Sequence, residues 1–175
     1  MNKNQLIGFS ILLILLFTAL FFIDKPSNPP KGKVDELFSD FKGDSGFVVI
    51  TFPKFLMKSM INSDSSETEN LAASTHTLRM MIYHEQKAQN RQEIVYRNVI
   101  EYMKKNKFDQ IDQQERDYGS KDIFMKPYDN EWKESVILFS GDSSLFVFNL
   151  ISQMNPEQII RTSETLEKER NTFSQ

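Results

Sequence analysis

The stretch Glu134–Met154, ESVILFSGDSSLFVFNLISQM, contains the two most strand-like segments of the chain. Residues 136–139 and 145–151 are apolar and rich in β-branched and aromatic side chains, which favour strands. The residues between them, Ser140–Ser144, include a glycine and an aspartate and are typical of a turn. The pattern predicts a β-hairpin of two buried strands, and therefore a core built around a sheet.

The segments before this hairpin alternate between helical and strand patterns. Apolar residues recur at helical spacing in Val34–Lys42 and Gln86–Lys105, with Ile94 among the inward-facing residues of the second helix, and Pro53 suits the first turn of another helix. Further strands are predicted at 46–52, 77–84, 108–115, 123–125 and 132–139. Gly46–Phe52 is apolar on both of its alternating faces, which predicts a strand that is buried on both sides.

The segment after the hairpin has the signals of a capped helix start. Asn155 can accept a hydrogen bond at the N-cap, Pro156 fits the first turn, and Gln158 completes a capping box. With the preceding elements, this predicts one α+β domain over residues 34–175. We expect a mixed or mostly antiparallel sheet packed with three to four helices, and a polar, mobile loop at residues 62–75.

The N-terminal residues predict a membrane anchor. Leu6–Ile23 is an uncharged run of 18 residues. As a helix it would span about 27 Å, close to the ~30 Å hydrocarbon core of a bilayer. The run is longer than the apolar region of a typical signal peptide, and no small-residue cleavage pattern ends it. We predict that residues 1–24 form an uncleaved transmembrane signal-anchor, with export after signal-peptide cleavage as the alternative.

The residues that follow the anchor predict a spacer. Residues 25–33 include three prolines and a glycine, which favour an extended and semi-rigid tether. Lysines on both sides of the anchor leave the positive-inside rule undecided. A short N-terminal head and a long C-terminal part predict a single-pass cell-membrane protein whose domain lies on the extracytoplasmic, periplasmic side.

The amino-acid composition excludes several kinds of functional site. The formal net charge of -3 argues against a nucleic-acid surface, which usually needs a concentrated basic face. The absence of cysteine excludes disulfides, thiolate metal sites and a lipidated N-terminal cysteine.

Three residue groups are candidate sites by residue type. Gly141-Asp142-Ser143 is similar to the GDS motif of serine esterases, but a hairpin turn accounts for it, and both histidines lie far upstream. His76 and His84 would be about 26 Å apart on one strand, too far for one metal ion. The acidic residues Asp109, Asp112, Glu115 and Asp117 lack the order of a calcium loop. We therefore predict no catalytic, cofactor-binding or metal-binding residues, and no cofactor.

The order of elements resembles a known family. A short helix leads into Gly43–Ile50 (GDSGFVVI), and the chain closes with Val136–Asp142 (VILFSGD), a second apolar strand and a final helix. This order is similar to that of the uncharacterised bacterial envelope family called domain of unknown function 4252, over roughly Val34–Glu169. The resemblance implies an α+β domain outside the cytoplasmic membrane, and it implies no known activity.

These observations predict a non-enzymatic, membrane-tethered domain that acts through protein contacts. The expected partners are the membrane, through Leu6–Ile23, and an unknown envelope protein or a second copy of the chain. Because several strands are apolar on both faces, either helices cover both faces or one face meets something else. A domain that binds lipid or another apolar molecule is therefore the alternative. A hydrolase that uses Ser143 or a neighbouring residue is the third hypothesis.

Overall fold

The computed structural model describes residues 32–44, 46–52, 74–84, 91–116, 119–128, 131–141 and 144–173. Three described helices accompany six strands. The helices are α1 (Val34–Phe41), α2 (Arg91–Lys105) and α3 (Pro156–Phe173). The strands are β1 (Phe47–Phe52), β2 (Thr75–His84), β3 (Asp109–Arg116), β4 (Gly119–Pro127), β5 (Lys133–Ser140) and β6 (Ser144–Ser152). The predicted α+β class is confirmed.

The strands form one antiparallel sheet in the order β1-β2-β6-β5-β4-β3. The predicted hairpin is β5–β6, which pairs from Ser140↔Leu145 to Lys133↔Ser152. The backbone N–H of Gly141 donates to the carbonyl of Ser144 over 2.9 Å and closes the turn. Because β6 lies between β5 and β2, the hairpin supplies the two central strands of the sheet, and both are almost entirely buried.

The described helices cover both faces of this sheet, as the doubly apolar strands require. On the first face, α1 and α2 pack through Leu37, Phe38, Val95, Val99 and Met103 against strand residues such as Val136 and Val147. On the second face, α3 packs through Ile159 and Leu166 against strand residues such as Ile137 and Phe148. The core is therefore two apolar layers with the sheet between them.

The structure corrects three details of the sequence prediction. Strand β1 is an outer strand of the described sheet and is not buried on both sides, since Val48 is 53% exposed. Ile94 points away from the core, because α2 buries Gln92, Val95, Val99 and Met103 instead. Thr75, predicted as the end of a polar loop, is buried and opens β2.

Other predictions lie outside the described residues. They are the signal-anchor over residues 1–24, the tether up to residue 31, the helix that begins at Pro53, and the loop over residues 62–73. Among the helices that the structure describes, none is both long and apolar enough to cross a bilayer.

Candidate functional site

A buried carboxylate lies where the chain enters the domain. Glu134 of β5 is 1% exposed and faces the first turn of α1. Its carboxylate accepts hydrogen bonds from the backbone N–H groups of Lys33 and Val34 over 2.8 and 3.0 Å. The N-cap residue, Lys33, makes no side-chain cap of its own. Glu134 therefore caps α1 from the sheet, where the positive end of the helix dipole also favours a negative charge.

Two further polar residues extend this contact across the sheet. Asn149 of β6 donates its Nδ2 to Glu134 over 3.1 Å and accepts at Oδ1 from Arg79 of β2 over 3.3 Å. The Arg79 guanidinium reaches back to the Asp35 carboxylate of α1 over 2.8 Å. We call Glu134, Asn149, Arg79 and Asp35 the α1 latch. Because three strands and one helix contribute to it, the latch fixes α1 in place on the sheet.

The latch borders a cleft of about 330 Å³. The lining comes from residues 32, 33, 35 and 36 at the start of α1, residues 126–128 at the end of β4, and Glu134. Gly32 is required here because a Cβ at this position would overlap the Glu134 carboxylate, whose oxygens are already held by hydrogen bonds. Lys126 donates to the carbonyl of Asn106 over 2.7 Å and lies over the Phe108 ring.

A tyrosine closes the other side of the α1 start. The Tyr102 hydroxyl of α2 donates to the Lys33 carbonyl over 2.6 Å. Burial, followed by the negative charge of Glu36, raises the pKa of Tyr102 from 10.0 to about 12. The phenol is therefore protonated at any physiological pH and serves as a hydrogen-bond donor. The Lys126 ammonium, the Glu134 carboxylate and the Tyr102 phenol are each engaged in hydrogen bonds within the fold.

Two other buried polar groups hold the remaining elements. Asp122 of β4 accepts from Tyr96 and Gln110 over 2.7 and 2.9 Å, which joins α2, β3 and β4. Burial is the largest of the effects that raise the pKa of Tyr96 above its usual range. On the second face, the Nζ of Lys121 lies 3.3 Å from the Ser163 hydroxyl and 3.6 Å from Asp112.

The Lys121–Ser163 pair has the residue types of a serine–lysine dyad. Lys121 is 1% exposed and Ser163 is fully buried between α3 and the sheet. The Ser163 hydroxyl also donates to the Ile160 carbonyl of its own helix over 2.6 Å. A nucleophile needs access to its substrate. We therefore interpret the pair as a polar contact that holds α3 on the second face of the sheet. The α1 latch has the same role for α1 on the first face.

The candidate site residues that the structure describes do not converge. His76 and His84 lie on β2, His76 edge-on to Trp132 at 5.5 Å and His84 exposed at the strand end. The outer strand β3 contains Asp109, Asp112 and Glu115. Two further candidates, Asp117 and Ser143, lie outside the described residues. Within the described ranges, no three metal-ligating side chains cluster.

Sequence reasoning missed the latch. A signal was present, because Asn149 interrupts the apolar run LFVFNLI and Arg79 interrupts TLRMMIY. A polar residue within an apolar strand is buried only if it has partners. Arg79 and Asn149 are direct cross-strand neighbours, but that register becomes known only from the sheet.

The fold and the latch define an antiparallel α+β domain whose first helix is fastened to the central strands. Residues 41–162 match the family model "Domain of unknown function (DUF4252)". The match covers well over half of the chain, and the chain therefore belongs to this family. The resemblance read from the sequence is confirmed. No curated protein and no solved structure matches the chain significantly.

Proposed function

We propose that this chain is a non-catalytic domain, tethered to a membrane by its N-terminal residues, that acts on the extracytoplasmic side through protein contacts. The observation that carries the proposal is the attachment of α1. The predicted tether runs directly into Gly32 and Lys33, the point at which the latch holds the chain. A domain suspended from its N-terminus needs a firm attachment at that end, because forces on the tether act there first.

The chemistry of the buried groups supports a binding role over catalysis. The buried Glu134 and Asp122 each accept hydrogen bonds from the chain itself. Reactive carboxylates and lysines need an open path to substrate. Here Asp35, Lys126 and Glu134 at the cleft bind other groups of the chain and join its elements to one another.

A membrane-extraction experiment tests the tether. The full chain should stay in the membrane pellet after alkaline carbonate extraction, and intact-mass measurement should find its N-terminus at or near Met1. Protease added to spheroplasts should digest the domain without lysis. A soluble chain that begins beyond Ile23, or a domain that is digested only after lysis, would contradict the proposal.

One observation favours binding of an apolar molecule as a second candidate. The second face carries half-buried apolar side chains on β1 and β2, including Ile50, Phe52, Leu78 and Ile82. Such a stripe suits a lipid chain as well as a protein. Native mass spectrometry of the purified full chain distinguishes the two, since a lipid carrier should keep a stoichiometric lipid after detergent exchange.

A further inference from the structure

The two outer strands of the described sheet differ in how their edges are protected. Strand β3, DQIDQQER, carries Asp109, Asp112, Glu115 and Arg116, and its pairing with β4 is irregular between Gln110 and Asp112. Charges and bulges of this kind prevent outer strands from pairing with other chains. Strand β1, FVVITF, has no charged residue, no proline and no register shift in its pairing with β2.

The hydrogen-bond pattern of β1 shows which residues face its outer edge. The N–H of His84 donates to the Gly46 carbonyl over 3.1 Å, so this pair is a hydrogen-bonded one. Because antiparallel pairs alternate, Val48, Ile50 and Phe52 direct their backbone groups toward β2. Phe47, Val49 and Thr51 direct theirs outward, and the Phe47 N–H already donates to the Asp44 carbonyl over 3.2 Å. Within the part of the chain that the structure describes, Val49 and Thr51 therefore offer a short ladder at the outer edge.

The side chains of β1 add an apolar stripe beside this ladder. Val48 is 53% exposed, and Ile50 and Phe52 are half-buried on the same face. The stripe continues onto β2 through Leu78 and Ile82, which are also half-buried. The other face of β1 is well packed, since the Phe47 ring stacks on Phe41 and lies tilted against Tyr83, with ring centroids 4.6 Å apart in both pairs. The strand is thus firmly held from inside and apolar toward the outside.

We propose that β1 is an interaction surface for a second copy of this chain, whose own β1 adds to it in antiparallel fashion across a two-fold axis. Residues directly opposite each other in an antiparallel pair share a face, so the stripe of one copy continues into that of the other. Self-pairing places no like charges together, because β1 has none. The same pairing of β3 would bring carboxylates of the two copies close to one another.

This inference rests on the proposed function, because the membrane tether is what makes a weak association between two copies sufficient. Pairing of two six-residue strands forms a small interface, which by itself favours only weak association. Copies anchored in one membrane are confined to a common surface, and such confinement raises their effective concentration. The tether thus provides a condition under which a short ladder is enough.

Of the two-fold registers that preserve the faces of the sheet, two are centred on the middle of β1. In one, Val49 lies opposite its own counterpart as a hydrogen-bonded pair. In the other, Ile50 lies opposite its counterpart as a non-hydrogen-bonded pair, in which side chains approach more closely. In both, the opposed Cα atoms are about 4.5–5.5 Å apart, within the range that a disulfide bridges.

The absence of native cysteine makes a disulfide scan direct. Val49→Cys and Ile50→Cys are introduced singly into the full chain, and membranes from expressing cells are treated with a mild oxidant. Gln113→Cys, exposed on β3, is the matched control. We expect one β1 variant to become mainly a disulfide-linked dimer while Gln113→Cys stays monomeric. Equal cross-linking of all three variants, or no β1 cross-linking above the control, would overturn the proposal.

A second substitution tests whether misfolding, and not the β1 contact, explains the cross-linking. Val48→Lys adds a charge at a half-exposed position, where the monomer tolerates it and the two-fold contact does not. Added to the cross-linking variant, it should abolish most of the dimer while circular dichroism stays unchanged. Undiminished cross-linking in the double variant would contradict the β1 contact.

The results separate this inference from the proposed function. A membrane-retained chain that does not cross-link through β1 contradicts the β1 contact alone. A chain that is found outside the membrane, yet cross-links through β1, contradicts the tether and supports the contact.

Discussion

The first turns of helices α1 and α3 are capped in opposite ways. Each helix has backbone N–H groups in its first turn that need acceptors. At α3 the acceptor is local, since Asn155 and Gln158 cap each other's backbone N–H groups over 2.9 Å in both directions. At α1 the acceptor is Glu134, about 100 residues further along the chain. A local cap stabilises a helix, whereas a remote cap also fixes where the helix lies on the sheet.

The largest expected effect is the loss of the remote cap. Glu134→Ala leaves the N–H groups of Lys33 and Val34 and the amide of Asn149 without their acceptor in a mostly buried place. Unsatisfied buried donors cost about 1–3 kcal/mol each, so we expect the free energy of unfolding to fall by about 3 kcal/mol or more. Urea unfolding of the full chain in mild detergent, followed by the fluorescence of its single tryptophan, Trp132, measures this change.

The control for this substitution is Glu115→Ala. Glu115 is an exposed glutamate on β3, and we expect its removal to change the unfolding free energy by less than about 0.5 kcal/mol. If Glu134→Ala costs no more than this control, the latch does not hold α1.

The local cap should contribute less. Asn155→Ala removes the acceptor for the Gln158 N–H, while the backbone N–H of residue 155 still donates to the Gln158 side-chain oxygen. The helix start is exposed, so water can replace the lost acceptor. We expect a loss of about 1 kcal/mol in the same urea experiment, as is usual for N-cap residues. A cost as large as that of Glu134→Ala would remove the contrast between the two helix starts.

The same contrast explains how much of this fold the sequence predicts. The α3 cap and the β5–β6 hairpin depend on neighbouring residues, and both are present where the local pattern predicts them. The latch depends on the order of the strands in the sheet. The periodicity of apolar residues along the chain does not give that order. The sequence pattern places Glu134 within the predicted strand at 132–139 and gives it no further role, although it is the residue that fastens α1.

The position of β1 was missed for a related reason. Alternating apolar residues predict that both faces of Gly46–Phe52 meet other groups, but they do not give the place of a strand within a sheet. Phe47 and Val49 pack on the first face, as an inner strand would. Val48 shows that the other side is open to contact. An apolar outer strand therefore has the same sequence pattern as a buried one.

The smallest expected effect concerns Tyr102, which supports the α1 start from α2. Tyr102→Phe removes the hydrogen bond to the Lys33 carbonyl, and we expect it to lower the unfolding free energy by about 1 kcal/mol or less at neutral pH. The folded pKa of Tyr102 is raised from 10.0 to about 12, chiefly by burial. Below pH 10 the phenol is neutral in the folded and unfolded chain, and its contribution is fully present.

Above pH 10 the contribution of Tyr102 to the free energy of unfolding decreases as the pH rises. Between pH 10 and about 12 the unfolded chain releases the Tyr102 proton while the folded chain retains it, so stability falls as pH rises. Tyr102→Phe should flatten this part of the stability curve, and ultraviolet titration of the folded chain should show one fewer late-ionising phenol. Tyr96→Phe is the matched comparison, because that phenol binds Asp122 away from the α1 start. If only Tyr96→Phe flattens the curve, Tyr102 is not a support of the α1 start, and the remote cap depends on Glu134 without help from α2.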